Sequence, residues 1–349
     1  MTKTNPGNFF EDFTVGQKIV HATPRTVTSG DVALYTALTG SRFALTSSDP
    51  FAHRLGLSRA PVDDLLVFHI VFGKTVPDIS LNAVANLGYA EARFLRQVFP
   101  GDTLTAHSEV IGLKENSSGK TGIVYVRTVG MNQNAETMLS YVRWVMVLKR
   151  AAGAPAPAPR VPDLVPVVAA ANLVVPDDLD FSGYDTALAG SPYLWQDYGV
   201  GTRIDHADGM TVEEAEHALA TRSYQNTARV HFNQFTESTG RFGRRLIYGG
   251  HVMSIARALS FNGLGNGQKI LAINGGAHIA PLFAGDTIFA WSEVLDKAVV
   301  KERGDCGALR LRLVAAKDRP CADFPLKDDG GAYDPAIILD LDYWVVMPR

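Results

Sequence analysis

Apolar positions along the chain fall into two kinds of run, one with the period of a buried helix and one alternating or β-branched. The order of these runs is the same in both halves of the sequence. In the first half an apolar stretch at 65–76 predicts a helix, followed by strand-like segments at 104–111, 122–129 and 140–148. In the second half 252–264 predicts the matching helix, and 287–294, 308–315 and 337–347 repeat the strand series. Each half opens on a turn, TVGQ or GVGT, and then a helix start. Thr28 with Asp31 and Thr211 with Glu214 both have the spacing of a capping box. PGDT and AGDT mark the turns into the first strand of each series. One central helix wrapped by an antiparallel sheet, twice over, is an α+β arrangement.

The residues themselves repeat as well. FFEDFTVGQKI matches LWQDYGVGTRI with Phe10 against Trp195 and Gly16 against Gly201, about 185 positions apart. VFPGDTLTAHSEV from Val98 matches LFAGDTIFAWSEV from Leu282 at a spacing of about 184. MLSYVRWVMVLKR near Trp144 echoes ILDLDYWVVMPR near Trp344. So long a period indicates a duplicated domain and not a solenoid. Between the copies, AAGAPAPAPRVPDLVP at 151–166 has too few N–H groups for a helix or an inner strand and predicts an extended connector. The expected division is 1–150, a linker at 151–175, and 176–349, with the two sheets pairing edge to edge within the chain.

Composition narrows the function. With 349 residues, 46% of them hydrophobic, core material is ample. Lys+Arg 33 against Asp+Glu 36, with no long basic run, gives no reason to expect a nucleic-acid partner. Cys306 and Cys321 are too few for a disulfide framework and lack zinc-ligand spacing, so they are expected to be reduced thiols. The N-terminal stretch has no apolar signal region, and the most apolar run, 65–72, contains His69 and follows Asp63-Asp64. A cytoplasmic protein without a membrane partner is the expectation. Neither a P-loop, nor a dinucleotide fingerprint, nor a metal-ligand cluster is present in the sequence, so no metal or redox cofactor is expected.

The chemistry concentrates in QNTARVH, Gln225 to His231, and in IYGGH, where Gly249-Gly250 opens the second apolar helix. An imidazole close to exposed helix N–H groups pairs an acid/base with a stabiliser of a developing oxyanion, as chemistry next to a thioester carbonyl requires. The bland alternatives are a structural histidine at a loop edge and a tight turn into the helix. Arg229 is suited to a carboxylate, its alternative being a solvated surface arginine. Arg241, Arg244, Arg245 and Lys269 are the cations available for a phosphate-bearing ligand.

VFPGD from Val98, YTALTG from Tyr35, and RAPVDD and RLIYGG ahead of the apolar helices resemble the MaoC-like dehydratases and (R)-specific enoyl-CoA hydratases. That resemblance implies the hot-dog fold, an acyl-CoA substrate and hydro-lyase chemistry, coenzyme A being part of the substrate. It also implies a homo-oligomer, a dimer or higher. The family motif Asp-x-Asn-Pro-x-His falls on Asn226, Ala228, Arg229 and His231 of the second copy. Its His-Gly step, seventeen positions beyond the histidine, falls on Tyr248-Gly249. The first copy has Ser41, Phe43, Ala44 and Thr46, then Asp63-Asp64, and so has lost acid, base and glycine. The resemblance thus makes the second half catalytic and the first a wall of the acyl pocket.

On this reading His231 moves protons, Asn226 positions the hydroxyl or water, and Gly249 and Gly250 hold the thioester oxygen. Tyr248 and His278 line the pocket. Arg229 receives a carboxylate on the carbon that bears the hydroxyl, and an amide in place of the motif's carboxylate lowers the repulsion of such an anionic substrate. Asp63-Asp64 is expected to begin a helix. Two alternatives stay open: a hydratase for an uncharged enoyl thioester, and an acyl-thioester-binding protein without catalysis.

Overall fold

The computed structural model describes residues 3–349. In chain order come β1 (Lys18–Thr26), α1 (Ser29–Thr39), the short helices α2 (Ala44–Ser47) and α3 (Asp49–Arg54), α4 (Asp64–Thr75), β2 (Ala83–Phe94), β3 (Thr103–Glu115), β4 (Thr121–Met131) and β5 (Thr137–Leu148). A long connection holding the single turn α5 (Thr186–Ala189) follows. The order then repeats as β6 (Arg203–Thr211), α6 (Glu214–Ser223), α7 (Arg229–Phe232), α8 (Gln234–Glu237), α9 (Gly249–Leu259), α10 (Phe261–Leu264), β7 (Lys269–His278), β8 (Thr287–Val299), β9 (Cys306–Lys317) and β10 (Ile337–Pro348). Among the described residues no helix is long and apolar enough to cross a membrane.

The strands make one sheet in the order β1-β3-β4-β5-β2-β7-β10-β9-β8-β6, antiparallel throughout and symmetric about its middle. The middle is the β2–β7 ladder, with Tyr89 opposite Gly276 and Ala92 opposite Ile273, so the edge-to-edge pairing expected of the two copies is present. Each half-sheet wraps its own apolar helix, α4 or α9, and the inward residues of both halves join in one core with Leu65, Phe68, Val71, Met253, Ile255 and Tyr343. At each outer edge a bulge interrupts the ladder, where Thr23 and Ala207 take positive φ (63° and 64°).

Several boundaries differ from the sequence pattern for physical reasons. The pattern shows three strands per copy, whereas five form. The central strands β2 and β7 escape it because Gly88, Gly275 and Gly276 interrupt their alternation. A side chain at Gly88 would collide with the Trp144 ring that covers it. The helix expected at 252–264 begins at Gly249 and ends at Leu259, with a kink at Asn262 and Gly263. Thr28 and Asp31 form their capping box. Thr211 and Glu214 do not, because Thr211 still belongs to β6 and its hydroxyl pairs with that of Thr287 at 2.9 Å. Glu213 and Glu216 take the capping positions instead. Asp63 does begin a helix, its carboxylate accepting the Leu65 N–H at 2.9 Å.

Residues 155–159 and 161–165 form neither helix nor strand. Arg160 between them makes a two-bond bridge with Leu113. The chain beyond covers the outer face of the second half-sheet: Val168 accepts a hydrogen bond from the Trp344 indole at 3.1 Å, and Val175, Leu179 and Phe181 pack beside it.

The two central helices meet head to tail, the last turn of α4 against the first of α9, with the Phe72 and Tyr248 rings 5.6 Å apart. Farther along, the His69 imidazole bonds Ser254 at 2.8 Å. On the same helix Gly73 admits the turn that follows α6, since a Cβ there would strike the carbonyl of Tyr224. Replacing Gly73 by alanine should therefore destabilise the fold by about 3 kcal/mol, at the upper end of overpacking penalties. Urea unfolding is the check, and an unchanged midpoint would show that the helix does not bear on this turn.

Candidate active site

The candidate site is built where those helix ends meet. Tyr248 is the N-cap residue of α9, in extended conformation (φ −63°, ψ 123°), and the helix begins at Gly249. A helix leaves its first N–H groups without internal partners. The Tyr248 N–H is taken by His217 Nε2 at 2.9 Å. The N–H groups of Gly249 and Gly250 have no acceptor among the described residues and carry the positive end of the helix dipole. Both positions must be glycine. A Cβ at Gly249 would run into the imidazole of His278, and one at Gly250 into the ring of Tyr248.

His231 lies on the single turn α7, half-buried, with its ring 5.4 Å from that of Tyr248. Its Nδ1–H donates to the Leu246 carbonyl at 2.9 Å, which fixes the tautomer and leaves Nε2 as a free base. Burial pushes His231 down to about 4, only partly opposed by the Leu246 carbonyl. His278, at the end of β7, is also pushed down to about 4, by burial first and by neighbouring His231 second. Its Nε2 lies 3.3 Å from the Tyr89 hydroxyl of the first copy. His217 falls to about 3 through burial, with His231 and His251 adding to the shift. Tyr248 is buried, its hydroxyl 3.5 Å from His69 Nδ1, and burial holds it well above the usual phenol range.

Asn226 is 1% exposed. Its Oδ1 accepts the Ala228 N–H at 3.2 Å, while its Nδ2 is buried with no partner in the protein. Gln225 ahead of it takes positive φ (55°), a left-handed turn set against α4 at Gly73. The fold thus supplies, in Asn226, a desolvated donor, and such donors are almost always satisfied.

Of the seven residues singled out in the sequence, the structure brings Tyr248, Gly249, Gly250, His231 and His278 together and buries Asn226 close by in the chain. Arg229 departs from expectation. It is exposed, and its Nη1 donates to Asn82 Oδ1 at 2.9 Å across the two copies, so it closes the surface instead of facing the pocket. Pattern reading missed His217, Tyr89 and Arg143. The signal for Arg143 was available: it is a charged residue at an inward position of an alternating strand, and it is fully buried. Among the candidate phosphate contacts, Lys269 is consumed by a buried pair with Asp64, and Arg245 pairs with Glu214. Arg241 and Arg244 remain exposed. At the equivalent place in the first copy, Ser41, Thr46 and Asp63 face a space with Tyr35 that offers no imidazole. A cleft of about 830 Å³ lies elsewhere, between Leu95–Gln97, Asn132–Glu136 and Val174–Asp178, and its acidic rim is unsuited to phosphates.

The family model described as mesaconyl-CoA hydratase matches residues 1–322. The chain is 66% identical over 347 residues to a β-methylmalyl-CoA dehydratase of Chloroflexus aurantiacus, covering 99% of each. It is 62% identical over 348 residues to a mesaconyl-CoA hydratase of Cereibacter sphaeroides, covering 99% of this chain and 100% of the other. A crystal structure of a MaoC domain protein dehydratase from C. aurantiacus superposes with a TM-score of 0.98 at 65% identity, covering 100% of this chain and 99% of that one. A Mycobacterium tuberculosis protein with a double hot-dog fold superposes with a TM-score of 0.74 at 24% identity over 99% of both chains, a likeness of fold.

The depressed imidazoles have a consequence for stability. His206 and His251 are also pushed down to about 4 by burial, and His69 lies well below its ordinary value for the same reason. Between about pH 4 and 6.5 the unfolded chain binds protons at these histidines that the folded chain refuses, so unfolding free energy falls as the pH is lowered through that window. The expected slope exceeds one proton, about 1.4 kcal/mol per pH unit. Urea titrations from pH 4.5 to 7 measure it, and a flat profile would mean that the imidazoles are hydrated in the folded state.

Proposed function

The chain belongs to the mesaconyl-CoA hydratase family, and from that premise we infer that it reversibly dehydrates β-methylmalyl-CoA to mesaconyl-CoA, a hydro-lyase reaction. The observation that carries the mechanism is the juxtaposition of a neutral His231, its Nε2 free, with two unclaimed helix N–H groups at Gly249 and Gly250. The thioester oxygen accepts from those N–H groups, which stabilise the enolate that forms as the neighbouring C–H is broken. His231 Nε2 takes that proton and returns it to the departing hydroxyl, so that one imidazole closes the cycle and water leaves. Asn226 Nδ2, the buried donor without a partner, holds the hydroxyl. A base near 4 is weak, but an anionic substrate beside it favours the imidazolium and moves it toward neutrality.

His278 and Tyr89 form the wall opposite His231. In this reading the second copy supplies the chemistry, and the first, through Phe72 and Tyr89, closes the acyl pocket. We assign the phosphates of coenzyme A to Arg241 and Arg244, which are exposed on the loop that leads to the Leu246 carbonyl. Cys306 and Cys321, both free and buried with thiols pushed up to about 12 by burial, fit the cytoplasmic location we propose.

Loss of enoyl-thioester absorbance with mesaconyl-CoA and crotonyl-CoA, assayed side by side, tests the assignment. Wild type should prefer mesaconyl-CoA, and His231→Ala should lower kcat by about 10²–10⁴-fold, the usual worth of a general acid/base. Full activity without the imidazole would rule out its role. Gly249→Ala, whose Cβ would press on the His278 imidazole and shift the N–H groups of the turn, should lower kcat by about 10²–10³-fold, the usual worth of an oxyanion donor. A variant that melts early at unchanged kcat would mean that the turn serves the fold alone.

A further inference from the structure

Arg143 is the one charged group in this region whose presence the fold does not explain. It sits on β5, directly across from Tyr89 on β2, fully buried on the inner face of the sheet. Its Nη2 reaches only two hydroxyls, Thr75 Oγ1 at 2.8 Å and Ser80 Oγ at 3.3 Å. Its Nε and Nη1 have no partner at all. The guanidinium lies 4.2 Å from the centre of the Phe72 ring, and burial lowers its affinity for the proton, with Tyr141, Tyr89 and Tyr248 as the charge partners and no carboxylate among them. A desolvated cation with neither counter-ion nor full hydrogen bonding is strongly unfavourable. The contrast with Arg257 is instructive. That residue, also buried, spends its nitrogens on Ser260 Oγ and the Gly267 carbonyl.

The second copy places its buried cation differently. At the position corresponding to Arg143, on β10 before Trp344, stands Tyr343, equally buried, and the cation beside it is Arg257 of α9, whose nitrogens have acceptors. The contacts also form a closed ring. Gly249 lies under His278, which approaches the Tyr89 hydroxyl. Tyr89 neighbours Arg143 across the strands, Arg143 covers Phe72, and Phe72 packs on Tyr248, whose ring faces His231. Arg143 is thus joined, through Phe72 and Tyr89, to the residues that surround the base and the oxyanion groups.

We propose that Arg143, and not Arg229, receives the free carboxylate of the substrate through its unpaired Nε–H and Nη1–H groups, and so selects carboxylated acyl thioesters over uncharged ones. This rests on the reaction proposed above. Charge-assisted hydrogen bonds to a guanidinium are among the strong ones, and the group left behind without its partner is expensive. The substrate anion thus completes an ion pair of which the protein holds one half.

The test compares wild type, Arg143→Met, Arg143→Lys and Arg229→Leu on mesaconyl-CoA and crotonyl-CoA, with thermal melts of each. Arg143→Met should lose at least about 100-fold in kcat/KM for mesaconyl-CoA, in the range for truncating a buried charge pair, with KM raised. It should keep or improve its rate on crotonyl-CoA and melt no lower than wild type. Arg143→Lys should recover part of the preference, and Arg229→Leu should stay within about threefold of wild type, as a surface substitution does. Equal losses on both thioesters, an unchanged preference, or a Met variant that melts well below wild type would overturn the assignment. Wild type that fails on mesaconyl-CoA would instead sink the reaction itself.

Discussion

The β2–β7 ladder is the constraint from which the site follows. By joining two half-sheets edge to edge in antiparallel sense, it fixes the helices they wrap head to tail, so the last turn of α4 abuts the first turn of α9. The candidate site sits at that meeting. The free N–H groups come from one helix, and the Phe72 wall comes from the other. Tyr89, on the ladder itself, links His278 of one copy to Arg143 of the other. Gly73 of α4 lets the Tyr224–Gln225 turn come close, and that turn runs directly into Asn226 and then His231.

Duplication lets one of two equal pockets specialise. In our reading the second copy keeps the imidazole and the glycine turn. The first has exchanged them for Asp63, whose carboxylate caps α4, and Asp64, whose carboxylate binds Lys269 and the Ile270 N–H at the start of β7. The vacated site thus helps hold the two copies together. The cation we assign to substrate recognition lies on the first copy, so neither half would suffice alone.

How much of this was legible beforehand depended on whether the signal was local. Period, turn chemistry and the internal repeat gave the wrapped helices and the outer strands, because those depend on residues close in sequence. The central strands were hidden by glycines that exist to admit rings from elsewhere, Trp144 over Gly88 and Tyr89 near Gly276. The motif positions of His231, Asn226 and the glycine pair were readable, since spacing along the chain carried them. The partner of Arg229 was not readable, because Asn82, to which it donates, is far away in sequence. Arg143 was visible as a charge at an inward strand position, but its partners, like those of His217, lie far away in sequence, and only the folded arrangement brings them together.

A sheet of ten strands has two ends, and those ends are β1 and β6. Each is interrupted midway by a residue in left-handed conformation, Thr23 or Ala207, and each is rich in polar side chains, with Pro24 in the one and Asp205 and Asp208 in the other. An edge bent and charged in this way offers a poor template for an eleventh strand. Growth of the array beyond the chain is thereby discouraged, while the lateral joining made by its own duplication is already built into the chain.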